Sequence, residues 1–316
     1  MATRTASESL SPGETPAIRT DGLTRTFGSF TAVDRLDLEI PTGIVYGLLG
    51  PNGAGKSTAL RMITTLLAPT RGTARVLGHD VVRERHAVRG LIGVTGQYAS
   101  VDEMLTGAEN LRLFGRLLGL GRRRARERAD ELLAAFSLTG AGGKRVSGYS
   151  GGMRRRLDLA VSLIARPPLI FLDEPTTGFD PEARREFWTL VEDLSADGTT
   201  VLLTTHYLDE AAHLADDVAI VLGGRIAAQG SPEDLARGEG DLTVSWIEDG
   251  AERTERTTAP TAVVRGLMSR LAGPGEEVPG LRVTAPSLEE RYLELVSAHE
   301  AAARADALAA AARPAA

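Results

Sequence analysis

The chain has 316 residues, 42% hydrophobic and 25% charged, enough for one large domain and an accessory piece. Its formal net charge of -6 argues against broad nucleic-acid binding, which rests on neutralising phosphates. Cysteine is absent, which excludes disulfides, thiolate metal sites and cysteine nucleophiles.

Residues 1–16, rich in Ser, Thr, Pro and Gly, read as disordered. They lack the apolar core of a secretory signal. From Ile18 to about Ile40, alternation such as VDRLDLEI predicts short antiparallel strands. The run IVYGLLG that follows is continuously apolar and ends in glycine, as a buried strand does. STALRMITTLL, from Ser57, reads as a helix, and residues 106–165 read as mostly helical, interrupted by a loop over residues 138–152. PLIFLDEP and TVLLTTH are two more buried strands, separated by an amphipathic helix that stops at Gly198. DDVAIVLGGRIAAQG reads as a hairpin. Buried strands alternating with helices predict a largely parallel sheet covered on both faces.

After about Arg237 the texture changes to a small α+β appendage over residues 239–300, in which Ser287 and Glu290 are spaced as a capping box. Residues 301–316 are mostly alanine, a helical extension or a frayed tail. No apolar run approaches the roughly 20 residues that a bilayer requires. A role at a membrane would therefore need spans from another polypeptide. The arginines Arg122, Arg123, Arg124 and Arg126 could form a phosphate or lipid patch, but Glu127, Asp130 and Glu131 follow closely and favour a solvated helix face.

Gly50, Pro51, Asn52, Gly53, Ala54, Gly55, Lys56 and Ser57 fit G-x-x-x-x-G-K-[ST], with Thr58 next, between a predicted strand and a predicted helix. Such glycines let backbone N–H groups turn toward phosphate oxygens, and the helix N-terminus adds positive potential. Lys56, one of only two lysines, can reach the β- and γ-phosphates, and the Ser57 hydroxyl can ligate Mg²⁺. Asp173 and Glu174 close the strand PLIFLDEP, where parallel sheets place their ligands. Asp173 is suited to hold Mg²⁺ through water, and Glu174 to polarise the attacking water. His206 ends the next strand and is suited to contact the γ-phosphate or to orient Glu174.

Tyr149, Ser150, Gly151, Gly152 and Met153 precede the helix that leads to the Asp173 strand. Together with Gln97 after LIGVTG, Asp180 in TTGFDP and His206, they complete an ordered set that resembles the ABC transporter ATPases over residues 18–238. That resemblance implies a P-loop NTPase fold: a RecA-like core with an antiparallel β subdomain and a helical subdomain over about residues 99–165. It also implies a head-to-tail homodimer in which Ser150, Gly151 and Gly152 of one subunit face the P-loop of the other across ATP. Gln97 would act in catalysis and at the Mg²⁺, Asp180 in the D-loop, and Phe27 against adenine, the lesser alternative for Phe27 being a core residue of its strand. Tyr149 and Met153 stand where the commoner signature has Leu and Gln, and Phe179 where the D-loop has Leu, which puts the strength of nucleotide-driven dimerisation in doubt.

YSGGMRRRLDLA and the closing SLEERYLELV are similar to the daunorubicin-resistance type of drug-export ATPase. That similarity implies an exporter motor at the cytoplasmic face of the membrane, working with two subunits of a separate permease. Residues 98–118 would face the permease. The cargo, a drug or hydrophobic metabolite, is marked by no residue. The alternatives are a soluble ABC ATPase acting on ribosomes or DNA, against which stand the single P-loop and the acidic balance, and a P-loop kinase or switch, against which stand the signature and Gln97.

Overall fold

The computed structural model describes residues 15–95, 101–237, 242–272, 276–284 and 287–311. Most of the N-terminal stretch read as disordered, residues 1–14, and the last five residues of the alanine tail lie outside them. The chain divides into two compact units, residues 1–227 and 228–316.

In the first unit, β1 (Ile18–Phe27) and β2 (Phe30–Ile40) pair antiparallel, as the alternation predicts. β3 (Val45–Leu49) leads into α1 (Lys56–Ile63). The helix expected to run on through TTLL stops at Ile63. Thr64 returns its hydroxyl to the Leu60 carbonyl at 2.9 Å, and Thr65 takes a left-handed conformation (φ 66°) that no helix continues through. β4 (Arg71–Val76) and β5 (His79–Asp80) complete a sheet in the order β2-β1-β4-β5. α2 (Arg85–Leu91) and β6 (Ile92–Thr95) follow.

The helical region contains α3 (Gly107–Leu117), α4 (Arg122–Ala135) and α5 (Gly151–Ser162). α3 opens on a full capping box between Thr106 and Glu109. The arginine run forms the first turns of α4, with its arginines exposed and Ala125 buried beneath them, a solvated face as expected. The predicted loop over residues 138–152 carries two short 3-10 turns.

β7 (Leu169–Asp173), α6 (Pro181–Ala196), β8 (Thr200–Thr205), α7 (Leu208–Leu214), β9 (Asp217–Leu222) and β10 (Arg225–Gly230) complete the main sheet, ordered β10-β9-β3-β8-β7-β6. β6, β7, β8, β3 and β9 run parallel. Alternation along β7 explains why its run is apolar throughout. Leu169 and Phe171 face the core shared with α1 and the antiparallel sheet, while Ile170 and Leu172 face the core under α3, α4 and α5. Thus β7 ties both layers together and brings its acidic end to the sheet's carboxyl edge.

The second unit holds α8 (Pro232–Arg237), β11 (Leu242–Glu248), β12 (Ala251–Thr257), α9 (Pro260–Leu271), β13 (Arg282–Thr284) and α10 (Leu288–Ala311). Its sheet is ordered β12-β11-β13, and Val244, Trp246, Leu267 and Val278 form its core. The capping box at Ser287 is present: Ser287 Oγ accepts from the Glu290 N–H and Glu290 from the Ser287 N–H, both at 3.1 Å.

Candidate functional site

Three neighbouring strands, β3, β8 and β7, end side by side, and each carboxyl end carries one part of the site. β3 runs into the loop 50–55. Gly50 packs against the Val221 carbonyl so closely that no Cβ fits, and Gly55, at φ 103°, sits as tightly over the Ala32 carbonyl. The loop and the first turn of α1 line a cavity of about 480 Å³, together with Phe27, Phe30, Ala32 and Glu174. Phe27 is 45% exposed, so it is not the core residue its strand position allowed. Its ring borders the cavity, with the Arg25 guanidinium 4.6 Å from the ring centre.

Lys56 is only 4% exposed. Its ammonium donates to the carbonyls of Gly50 (2.6 Å) and Pro51 (3.1 Å) and lies 3.9 Å from Glu174 Oε1. Burial lowers its pKa, and the nearby charges of Glu174 and Asp173 oppose that shift. The lysine is therefore held against its own loop, with its charge aimed at the space the loop encloses.

Asp173 is buried and accepts at Oδ1 from Ser57 Oγ (2.9 Å) and from Thr204 Oγ1 (2.6 Å). The Glu174 N–H is shared between the Thr204 carbonyl (3.1 Å) and its hydroxyl oxygen (3.0 Å). Glu174 itself has φ 47°, a conformation costly for a residue with a side chain. Its carboxylate lies 3.6 Å from His206 Nδ1. The His206 ring packs on Tyr207 (centroids 4.2 Å apart), and Arg184 covers the Tyr207 ring at 4.7 Å. Lys56, Ser57, Asp173, Glu174 and His206 are thus brought together from three strand ends. Gln97, expected beside them, lies outside the described residues.

Ser150 caps α5 by accepting from the Met153 N–H at 3.2 Å, so Gly151 and Gly152 form the helix's first turn with their N–H groups at its open end. A Cβ on either glycine would meet nothing within 4 Å. Tyr149 is buried, with its hydroxyl donating to the Ala141 carbonyl at 2.8 Å, and Met153 packs against the helical core. Asp180 caps α6 through Oδ1, accepting from Glu182 and Ala183. Phe179 packs edge-on against Phe187. Among the described residues, the signature lines none of the P-loop cavity. Gly151 and Gly152 border a second cavity of about 470 Å³ that Glu174 also borders.

Sequence reasoning overlooked Thr204, Phe30, Tyr207, Arg184 and Arg155. Phe30 carried a readable signal, an aromatic three residues after Phe27 across a tight turn. Tyr207 touches its sequence neighbour His206, whereas Thr204, Arg184 and Arg155 act through long-range contacts that leave no local pattern.

The Asp173–Ser57 pair offers two hard oxygens, and among the described residues no three or more His, Cys, Asp or Glu side chains are arranged to hold a metal ion by themselves. A cation held here would be completed by phosphate and water, which suits Mg²⁺ and not a metal needing an all-protein cage. The glycine-forced loop and the aimed lysine likewise suit a polyphosphate.

The family model described as ABC transporter matches residues 33–177. The daunorubicin/doxorubicin resistance ATP-binding protein DrrA of Streptomyces peucetius is 54% identical over 242 residues, 76% of this chain and 73% of that protein. The daunorubicin resistance ATP-binding protein DrrA3 of Streptomyces coeruleorubidus is 47% identical over 305 residues, covering 88% and 95%. Among solved structures, an ATP-binding cassette in a dimeric post-hydrolysis state bound to ADP and Pi superposes with a TM-score of 0.62 at 25% identity, covering 68% of this chain and 98% of that one.

Proposed function

The chain belongs to the ABC transporter family, as an ATP-binding, ATP-hydrolysing subunit, and we propose that it drives export of a drug or hydrophobic metabolite through a separate membrane permease. The observation that carries the catalytic part is the position of the Glu174 carboxylate, 3.9 Å from the Lys56 ammonium and 3.6 Å from His206, at the rim of the P-loop cavity.

The loop N–H groups and Lys56 hold the phosphates. Phe27 stacks on the base. Ser57, Asp173 and Gln97 would hold Mg²⁺, which when bound would supply charge neutralisation on the phosphate oxygens. Glu174 takes the proton of the attacking water at its carboxylate, and His206 orients it. The second phosphate contact comes from a partner copy, through Ser150, Gly151 and Gly152, with Asp180 at the same interface. In support, a Cβ on either glycine would meet nothing within 4 Å, and both border a cavity of about 470 Å³. Two copies therefore close around nucleotide and separate after hydrolysis.

No described helix is long and apolar enough to cross a membrane, which fits spans supplied by two permease subunits, with the ATPase at the cytoplasmic face. The permease-facing segment is residues 98–118, of which residues 98–100 lie outside the described residues. Met104 (67%) and Leu117 (71%) stand exposed there, as docking side chains would.

Replacing Glu174 by Gln tests this reading. Nucleotide affinity is expected to stay within about threefold and steady-state turnover to fall at least about 100-fold, with Mg-ATP now trapping a dimer on a sizing column. Undiminished turnover would refute Glu174 as the base. In vesicles carrying the permease, the same variant should abolish drug accumulation.

A further inference from the structure

Arg155 lies on α5, one turn beyond the signature glycines, yet its side chain leaves the helical core and reaches the turn that carries Glu174. Its Nε donates to the Pro175 carbonyl at 3.2 Å. A terminal nitrogen donates to the Asp173 carbonyl at 3.1 Å and, more weakly, to the Glu174 carbonyl at 3.4 Å. One rigid guanidinium thus spans three successive main-chain carbonyls, and the middle residue is the one held at φ 47°. The group is half-buried, which lowers its pKa, while the charges of Asp158 and Asp173 oppose the shift, and a guanidinium remains a cation. A planar fork with fixed donors can lock a turn in this way; a flexible ammonium or a neutral side chain cannot.

We propose that Arg155 is a positioning residue for catalysis: it clamps the Asp173–Pro175 backbone so that the Glu174 carboxylate is held at the nucleotide cavity, and it joins that turn rigidly to α5. The clamp deepens the reading of Glu174 as general base and rests on it. Its consequence concerns communication. α5 presents its amino end to the partner's nucleotide, whereas the Glu174 turn serves the protomer's own. A displacement of α5 by the partner's nucleotide is therefore carried through Arg155 to the general base of the other site.

A double-mutant cycle tests the clamp. Arg155→Met in the full-length protein is expected to lower kcat about 100-fold, the loss typical of a reacting group displaced by roughly 1 Å, with KM for Mg-ATP within about threefold. Arg155→Lys should lose about tenfold, since one ammonium satisfies only part of the turn. Combined with Glu174→Gln, Arg155→Met should change the residual single-turnover rate by less than about threefold, because its target is already gone. Multiplicative losses in the double variant would overturn the proposal, as would wild-type kcat in Arg155→Met. Undiminished turnover in Glu174→Gln alone would instead sink the base assignment, and the clamp with it. Should Arg155→Met not fold, by melting temperature and nucleotide binding, Arg155→Lys carries the same cycle.

Discussion

Thr204→Val is a sharp test of how the acidic turn is built, because it exchanges a hydroxyl for a methyl in a fully buried position with almost no change of shape. Thr204 Oγ1 makes two contacts, donating to Asp173 Oδ1 at 2.6 Å and accepting from the Glu174 N–H at 3.0 Å. The second is redundant, since the same N–H also reaches the Thr204 carbonyl at 3.1 Å. The first is not, although Asp173 keeps its bond from Ser57. The loss is therefore one hydrogen bond to a charged group, about 2 kcal/mol. For a unit of 227 residues this lowers the melting temperature by about 4–8 °C. With only Ser57 left to hold it, the Asp173 carboxylate is aimed less firmly, so kcat should fall about tenfold with nucleotide affinity nearly kept. Thr204→Ser restores the donor while losing a buried methyl, which costs about 1 kcal/mol. It should melt below wild type but turn over within about threefold of it. Calorimetry and phosphate release measured on both variants separate the effects. The reasoning fails if Thr204→Val turns over like wild type, or if Thr204→Ser is as inactive as Thr204→Val.

Gly55→Ala places a Cβ on a residue at φ 103° and against the Ala32 carbonyl. It should weaken binding of a fluorescent ATP analogue by more than about tenfold, since about 1–3 kcal/mol of strain falls on the phosphate cradle itself. Glu210 is fully buried, and burial raises its pKa against weaker opposing contributions from Thr205, Thr176, Trp188 and the Arg184 charge. The folded protein therefore keeps a proton that the unfolded chain has released, and stability falls as pH rises from the ordinary carboxylate value through the raised one. Glu210→Gln cannot titrate, so its melting temperature relative to wild type should rise as the pH is taken upward from the ordinary carboxylate value; a difference that stays constant with pH would show that Glu210 does not titrate in the folded protein.

The strands at the centre of the sheet were legible because each is buried on both faces, and a run such as PLIFLDEP admits few other roles. β4 was not. In RGTARV only Ala74 and Val76 turn inward, and the strand exists because β1, far earlier in the chain, offers it a partner, with Ile18 opposite Val76 and Thr24 opposite Arg71. The end of α1 was missed for the opposite reason. Apolar residues continue past Ile63, but Thr65 turns the backbone out of the helix and leaves Leu66 exposed. For the site, motif spacing named the groups but not their neighbours. It is the insertion of β8 between β3 and β7 that sets His206 beside Glu174 and Thr204 beneath Asp173, and strand order is not written in any local window.

The backbone of Glu174 shows why those non-local neighbours matter. A left-handed conformation at a residue with a side chain costs about 1–3 kcal/mol and persists only when its surroundings over-determine it. Here they do so from both sides. Thr204 on β8 fixes the N–H with two acceptors, and Arg155 on α5 holds the carbonyls before, at and after the residue. Neither anchor lies on β7 itself. The carboxylate's direction is therefore set jointly by the sheet and by the helix whose amino end is exposed, so a shift of α5 relative to β8 must alter either the strain or the aim of the side chain. A glycine at 174 would relieve the strain and lose the carboxylate. An unstrained turn would keep the carboxylate and lose its dependence on α5.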